Sequence, residues 1–488
     1  MTTRQVPARE ESTAAAAYPG AEETGRLRGG RLRFFRTIAE SVGVQGPTGA
    51  AVIAAAVLAG VSGGGTALVQ IVAAVAMGFV AYAFVIFTRG FNSAGSVYGF
   101  TGAVAGPRFG FLSAWTLMLV YVSFAGGAYT ATADEAQAAF GSLGLHLAWQ
   151  VYAIITFVLV MALAYLDIKI SATVILVLEG ASMLLVVIAC GIILAKGGFH
   201  GHAFSPAPFR PNGVPLSVLG LGVVLTFGNF SGFEAAATLG EESRQPRRLI
   251  PPAIAVSLAV VAIYAIGVAA VVTNAYPDIT QLSKATVPLV TVTDTYVASW
   301  MGELVNIGAV VSVFGAALAC VVGASRILFA LGRDAGPVML RRTSRTTGAP
   351  LGALIWVGAG SLLTMLLFIK EPLATRAVAI SFTYGADLII VAYILVVAAA
   401  IIFTIRRRMS PVKTAILLIG LAVLGYVVKD TFIPIPPAPY RWDALAAGIT
   451  LVAGIALPFA YPPLRRGIRN SPLLKAGASA LLGNTERK

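Results

Sequence analysis

Ser41-Val42-Gly43-Val44-Gln45-Gly46-Pro47-Thr48-Gly49 interrupts an apolar run that extends from about residue 37 to residue 61. In a helix interior a glycine costs about 1 kcal/mol and a proline about 3 kcal/mol. Three glycines and a proline within seven residues therefore predict a helix broken in its middle. A later apolar run has a second interruption, Phe227-Gly228-Asn229-Phe230-Ser231-Gly232-Phe233-Glu234. If both runs cross a membrane, the loosened backbone is tolerated only where it lines a cavity or is buried in protein. Glycines that merely let helices approach closely explain one break more readily than two. Two breaks with polar side chains predict a ligand site between them.

Composition places the runs in lipid. The 488 residues are 57% hydrophobic and 11% charged, where a soluble domain carries about 25% charged residues. Mean hydropathy is +0.84. About 20 apolar residues cross a ~30 Å hydrocarbon core. Twelve such spans are expected, near 37–61, 67–88, 109–132, 147–166, 172–195, 215–238, 251–273, 303–331, 349–369, 377–404, 411–429 and 442–461. The formal charge of +14 follows their topology. With the N-terminus inside, 28 of the 35 Lys and Arg fall on the cytoplasmic side. This is the positive-inside bias, and an even number of spans puts both termini in the cytoplasm. The basic balance leaves no footprint for nucleic acid. Gly63-Gly64-Gly65 falls between spans 1 and 2 and reads as an outer turn.

Other chemistry is poorly represented. Residues 1–36 lack an apolar core before Ile38 and read as a disordered cytoplasmic tail, not as a signal peptide. Cys190 and Cys320 fall in spans and read as packing residues. No glycine run is followed by Lys-Ser or Lys-Thr, so no phosphate-binding loop is predicted. His146, His200 and His202 fall in or beside outer loops, and no metal site or catalytic triad can be assembled at membrane depth. The chain is not expected to be an enzyme, and no cofactor is expected.

The breaks lie in spans 1 and 6. Broken helices at matching positions of two inverted repeats are a device of secondary transporters. After span 6 come Gly232-Phe233-Glu234 and then Glu241-Glu242-Ser243-Arg244-Gln245-Pro246-Arg247-Arg248-Leu249-Ile250-Pro251. The loop after span 2 reads Ala94-Gly95-Ser96-Val97-Tyr98, Gly106-Pro107-Arg108 and Gly110-Phe111-Leu112-Ser113-Ala114-Trp115. Span 8 ends in Arg326-Ile327-Leu328-Phe329-Ala330-Leu331-Gly332-Arg333-Asp334. Together these resemble the amino acid–polyamine–organocation superfamily. Ser93 stands where that family often has a proline, and Gly43-Val44-Gln45-Gly46-Pro47 departs from its usual glycine–isoleucine kink.

The resemblance implies an all-α membrane protein with a leucine-transporter-type five-plus-five inverted repeat and two additional helices. The first repeat would occupy 37–200, the second 201–408 and the added helices 409–464, with a cytoplasmic tail at 465–488. It also implies an amino acid permease whose substrate sits at the two breaks.

An amino acid is a zwitterion, and its charges need partners away from water. The restart of span 1 offers N–H groups and a positive helix end to a carboxylate, which nominates Gln45, Gly46, Thr48 and Gly49. Carbonyls freed at the span-6 break would meet the ammonium near Thr226, Phe227, Gly228 and Phe230, with Asn229 and Ser231 completing a polar shell. Phe227 and Phe230 are candidate gates, though an aromatic in an apolar span is usually packing. The same holds for Tyr121, Phe124 and Tyr129 as side-chain pocket candidates.

Ionisable groups inside lipid are costly and are functional candidates by default. Glu179 and Asp387 are the candidate proton carriers, against the alternative of static hydrogen-bonded carboxyls. Glu234 is expected to pair locally and support the broken helix. Sodium would need several oxygen ligands near spans 1 and 8, and span 8 offers only Ser312 and Ser325 in an otherwise apolar run, so protons or exchange are favoured. Glu241, Glu242, Arg244, Arg247 and Arg248 are expected to pair with the neighbourhoods of Arg89, Arg108, Arg326 or Arg333 as inner gate elements, or else to serve only orientation. The leading function is uptake or exchange of an amino acid or related amine across the plasma membrane. A polyamine antiporter, a channel and a non-transporting sensor are the alternatives.

Overall fold

The first crossing shows why the opening sequence folds as it does. Helix α1 (Phe34–Gln45) ends at Gly46, which adopts φ +49° and ψ +54°. Glycine enters this left-handed region without a Cβ clash. The Gly46 N–H donates back to the carbonyls of Val42 (3.2 Å) and Gly43 (2.9 Å) and closes α1. Helix α2 (Pro47–Ser62) restarts at once, because proline's fixed φ and missing N–H suit a first helical position. The break is one residue wide, narrower than the glycine-rich stretch predicts. Gly43 and Gly49 stay helical and serve packing instead. A methyl at Gly43 would lie 2.6 Å from Ile175 Cγ2, and one at Gly49 would lie 2.3 Å from Val313 Cγ2.

The computed structural model describes residues 27–142, 144–212, 214–435 and 438–483. After α2 come α3 (Thr66–Gly90), α4 (Val97–Ala105), α5 (Pro107–Ser142), α6 (Trp149–Tyr165) and α7 (Ile168–Ala195). The sixth crossing is broken more widely. Helix α8 (Leu216–Phe227) leads into a 3₁₀ turn at Gly228–Phe230 and an extended Ser231. Gly232 follows at φ +109°, and a second 3₁₀ segment runs over Phe233–Leu239. The chain continues through α9 (Pro246–Ala275), α10 (Ile279–Lys284), α11 (Pro288–Tyr296), α12 (Ser299–Ala335), α13 (Leu351–Leu367) and α14 (Ala374–Arg406). It ends with α15 (Pro411–Phe432), α16 (Tyr440–Ala460), α17 (Pro462–Asn470) and α18 (Pro472–Leu482). Among the described residues, nine helices are long and apolar enough to cross a membrane, with α1 and α2 counted as one. The shorter apolar helices α6 and α13 and the broken segment Leu216–Leu239 bring the crossings to twelve. The fold is all-helical, with the two breaks five crossings apart.

Both ends of the described chain pack more than the sequence reading expects. Leu32 is fully buried. The N–H groups of Arg31 and Leu32 donate to the Glu242 carbonyl, and the Arg244 N–H donates to the Leu32 carbonyl. Residues 27–36 are therefore fastened to the loop after the second break and are not a free tail. Residues 1–26 lie outside the described residues. At the other end, α18 seats Leu474 against Gly102 of α4 and Leu481 against Gly90 of α3. The Tyr98 and Ser471 hydroxyls both bond Asp334 at the end of α12. Up to Leu482, the stretch expected as a tail is folded back onto the helices.

Gly232 and Gly228 make a matched pair for testing the second break. A methyl at Gly232 would lie 2.5 Å from Val44 Cγ1 in a backbone region unfavourable to it, whereas Gly228 has open space in that direction. Gly232→Ala should cost about 1–3 kcal/mol and lower the melting midpoint in detergent. Gly228→Ala should melt close to the parent. Equal midpoints for the two variants would contradict the geometry described.

Candidate functional site

The two breaks touch. The Ser41 hydroxyl of α1 donates to the Phe233 carbonyl (2.6 Å) and accepts the Ala236 N–H (2.9 Å). A methyl at Gly232 would stand 3.2 Å from the Gln45 nitrogen. Glu234, fully buried, supports the wider break. Its carboxylate accepts the Tyr121 hydroxyl of α5 (2.8 Å), the Tyr393 hydroxyl of α14 (2.7 Å) and the Gly232 N–H (3.0 Å). The rings of Phe84, Phe227 and Phe233 surround that of Tyr393.

On the other side of Gly46, the first turn of α2 faces α7, α9 and α12. The Thr48 hydroxyl donates to Ser182 Oγ (3.1 Å) and lies 3.1 Å from the Tyr264 hydroxyl. The Gly49 N–H points to Ser312 Oγ at 3.4 Å. Ser312 in turn donates to the buried carboxyl of Glu179, at 3.0 and 3.3 Å from its two oxygens. The restart of the first crossing, Ser312 of α12 and Glu179 of α7 thus form one hydrogen-bonded chain.

The remaining predicted residues divide between two surroundings. Asn229 and Phe230 join Pro47, Gln70 and Val261 in a small recess, about 20 Å³, between α2, α3, α9 and the second break. Gln45 is buried, and its amide N–H donates to the Ser41 carbonyl. Thr226 bonds back to the Gly222 carbonyl. The Gly228 carbonyl, freed by the break, accepts both the N–H and the hydroxyl of Ser231. Phe124 packs on Phe382 of α14, and Tyr129 bonds Ser361 of α13. Neither of those two side chains lines the recess. Asp387 is buried in α14, with Asp443 of α16 as its charged neighbour.

The family model described as amino acid permease matches residues 32–457. The chain belongs to the amino acid permease family. The chain is 27% identical over 289 residues to a branched-chain amino acid permease, BcaP, of Bacillus subtilis, a match covering 56% of this chain and 61% of that protein. It is 25% identical over 346 residues to the mitochondrial cationic amino acid transporter 3 of Arabidopsis thaliana, covering 67% of this chain and 56% of that protein. A methylthioribose transporter of Bacillus subtilis is 26% identical over 312 residues, covering 59% of this chain and 64% of that protein. The matches thus span less than two thirds of each of these relatives.

Beyond the breaks, the chain gathers buried charge on the side where α12 ends. Arg326 is 1% exposed. Its Nε and Nη2 donate to Glu242 at 3.1 and 3.3 Å, and its Nη1 donates to the Val322 carbonyl and Ser325 Oγ. Arg333 pairs with Glu241, whose carboxylate also accepts the Ala94 N–H. Burial pushes the Glu242 carboxyl up, and the Arg326 guanidinium beside it pulls the other way.

Some site residues were missed in the sequence. Glu40 is fully buried in α1 near this cluster. The rule that picks out Glu179, an acid in an apolar span, applies equally to Ile38-Ala39-Glu40-Ser41. Tyr393, Tyr264 and Ser182 carry no signal of their own, because hydroxyls in apolar helices are common.

Tyr393→Phe removes one hydrogen bond to a buried carboxylate, worth about 1.5–3 kcal/mol. The variant should melt below the parent, and Tyr121→Phe with Tyr393→Phe should melt lower still. An unchanged midpoint in the double variant would show that Glu234 does not support the break through these hydroxyls.

Proposed function

We propose that this permease is a secondary active transporter that moves an amino acid or related amine across the plasma membrane by alternating access, with both termini in the cytoplasm. The observation that carries this reading is the direct contact of the two broken crossings through Ser41, Gln45 and Gly232. Half-helix ends at membrane depth suit a zwitterion: the restart at Pro47 takes the carboxylate, and carbonyls of the second break take the ammonium. The Gly228 carbonyl is already engaged by Ser231, so the substrate ammonium displaces that hydroxyl on binding. In this reading 37–200 and 201–408 are the two repeats that rock against each other, and 409–464 are accessory. The relatives named above support an amino acid as cargo, while the methylthioribose transporter among them shows how far cargo varies at this distance.

The transport is coupled to protons or runs as exchange. Both span-8 hydroxyls nominated for sodium are engaged, Ser312 on Glu179 and Ser325 between Val322 and Arg326. Glu179 is the coupling carboxyl in this proposal, since its partner Ser312 also meets the Gly49 N–H at the restart of the first crossing. Proton occupancy at Glu179 then alters the end of the half-helix that receives the substrate.

Counterflow into proteoliposomes tests the transport reading. Protein loaded with unlabelled branched-chain or cationic amino acids should accumulate the labelled form transiently and saturably. Absence of counterflow for every amino acid and amine tried would overturn it. Glu179→Gln should abolish accumulation driven by a pH gradient and leave counterflow intact. Accumulation surviving in that variant would remove Glu179 from the coupling step. Uptake lost entirely on removing sodium would replace protons with sodium.

A further inference from the structure

Glu40 lies six residues before the kink at Gly46, and neither of its carboxyl oxygens has a hydrogen-bond partner although the side chain is 0% exposed. It faces α12, where a methyl at Gly323 would come 3.8 Å from its Oε1. The charged groups acting on it are Arg326 of α12 and Glu242 of the loop after the second break. Cys320 of α12 lies near both Glu40 and Glu234. Tyr121 of α5 also lies against Gly323, and its hydroxyl is given to Glu234. Glu179 of α7 and Tyr264 of α9 bond residues on the α2 side of the kink or their neighbours. No donor is bonded to Glu40: four of the five N–H groups of Arg326 are spent on Glu242, Val322 and Ser325. A buried carboxylate without a donor is costly, and a carboxyl that keeps its proton avoids that cost.

We propose that Glu40 is a proton-binding site whose proton decides which carboxylate holds Arg326. In the arrangement described, Glu40 is the neutral acid and Arg326 belongs to Glu242. When water reaches the site from the cytoplasmic side, the Glu40 O–H bond breaks and the proton passes to that water. The carboxylate left behind takes the guanidinium, and Glu242 is released to solvent. One buried ion pair exists before and after, so the exchange leaves no guanidinium stranded. Release of Glu242 removes one of the loop's two ion pairs with α12, leaving Arg333–Glu241 in place, and loosens with it residues 31–32, which bond the Glu242 carbonyl. The site is distinct from Glu179 and acts on the inner closure. Its role in a transport cycle rests on the transport reading, but its proton chemistry does not.

The test uses the full chain with Cys190→Ala, leaving Cys320 as the reporter thiol, which is 1% exposed in this arrangement. Maleimide labelling of Cys320 is measured across pH in the parent, in Glu40→Gln and in Glu242→Gln, all in detergent, with counterflow measured in parallel. Gln mimics the protonated acid. The ratio of parent to Glu40→Gln labelling rates removes most of the thiol's own ionisation. That ratio should be near one at low pH and rise about tenfold at high pH, the scale of a single coupling interaction. Glu242→Gln should label faster than the parent at low pH. A flat ratio, or faster labelling in Glu40→Gln, would overturn the proposal. If Glu40→Gln fails to fold, Glu40→Asp must keep the parent's pH-dependent rise, and its loss would count against the site equally. A rising ratio without counterflow would leave the proton site standing and remove the transport reading instead.

Discussion

Backbone opened at membrane depth must be bonded again within the protein, because lipid offers it nothing. The architecture around the two breaks follows from that constraint. Ser41 serves one carbonyl and one N–H of the second break at once. Glu234 takes the Gly232 N–H and is itself held by two tyrosines from different crossings. Ser231 turns back onto the Gly228 carbonyl. Side-chain bonds of this kind contribute about 0.5–1.5 kcal/mol each, net, and roughly 1.5–3 kcal/mol to charged groups. They are strong enough together to hold an irregular segment and weak enough singly to be exchanged for a ligand.

The two breaks differ in kind. The first is a single left-handed glycine between helices whose flanking glycines are locked against Ile175, Ala319 and Val313. Its halves cannot shift along those contacts without opening voids, and close-packed interiors resist that. The second break has two short 3₁₀ segments joined through an extended Ser231 and a left-handed Gly232. Its hydrogen bonds run to side chains on α1, α5 and α14. The first break is therefore the narrower and more tightly packed, and the second the wider and more irregular.

Much of this was legible in the sequence, for physical reasons. Gly46-Pro47 and Ser231-Gly232 break helices wherever they occur, and lipid gives such breaks meaning. Acidic Glu241 and Glu242 after a span, with Arg326 and Arg333 at the end of another, announce pairing by charge alone. What was not legible depends on facing. Gly43 and Gly49 have the same helix cost as Gly46, yet only the neighbouring side chains of α7 and α12 reveal them as packing residues. Thr48 was nominated for a substrate and is turned toward Ser182 and Tyr264. Asn229 and Phe230 line a recess with residues of α3 and α9, and Phe124 and Tyr129 are not part of it. The basic residues Arg465, Arg466 and Arg469 made the last segment read as a tail, while Leu473, Leu474 and Leu481 seat it against α3 and α4. Residues 27–36 show no apolar period, since backbone bonds to Glu242 and Arg244 hold them.

Arg326 connects these parts. A guanidinium at 1% exposure is costly, and it is retained because Glu242, Val322 and Ser325 engage its Nε, Nη1 and Nη2. Removing Glu242 from it would leave a buried charge unpaired, which costs about 3–5 kcal/mol. The loop is thereby fixed to α12, and the same loop carries the backbone bonds that hold Leu32 just ahead of α1. From Leu32 the chain enters α1 and reaches Ser41, which bonds the second break. A continuous run of bonds therefore leads from α12 through the loop to α1, on to the break, and through Glu234 and its tyrosines to α5 and α14. The ion pair at Arg326 and the packing of the broken helices are thereby joined through the loop and α1.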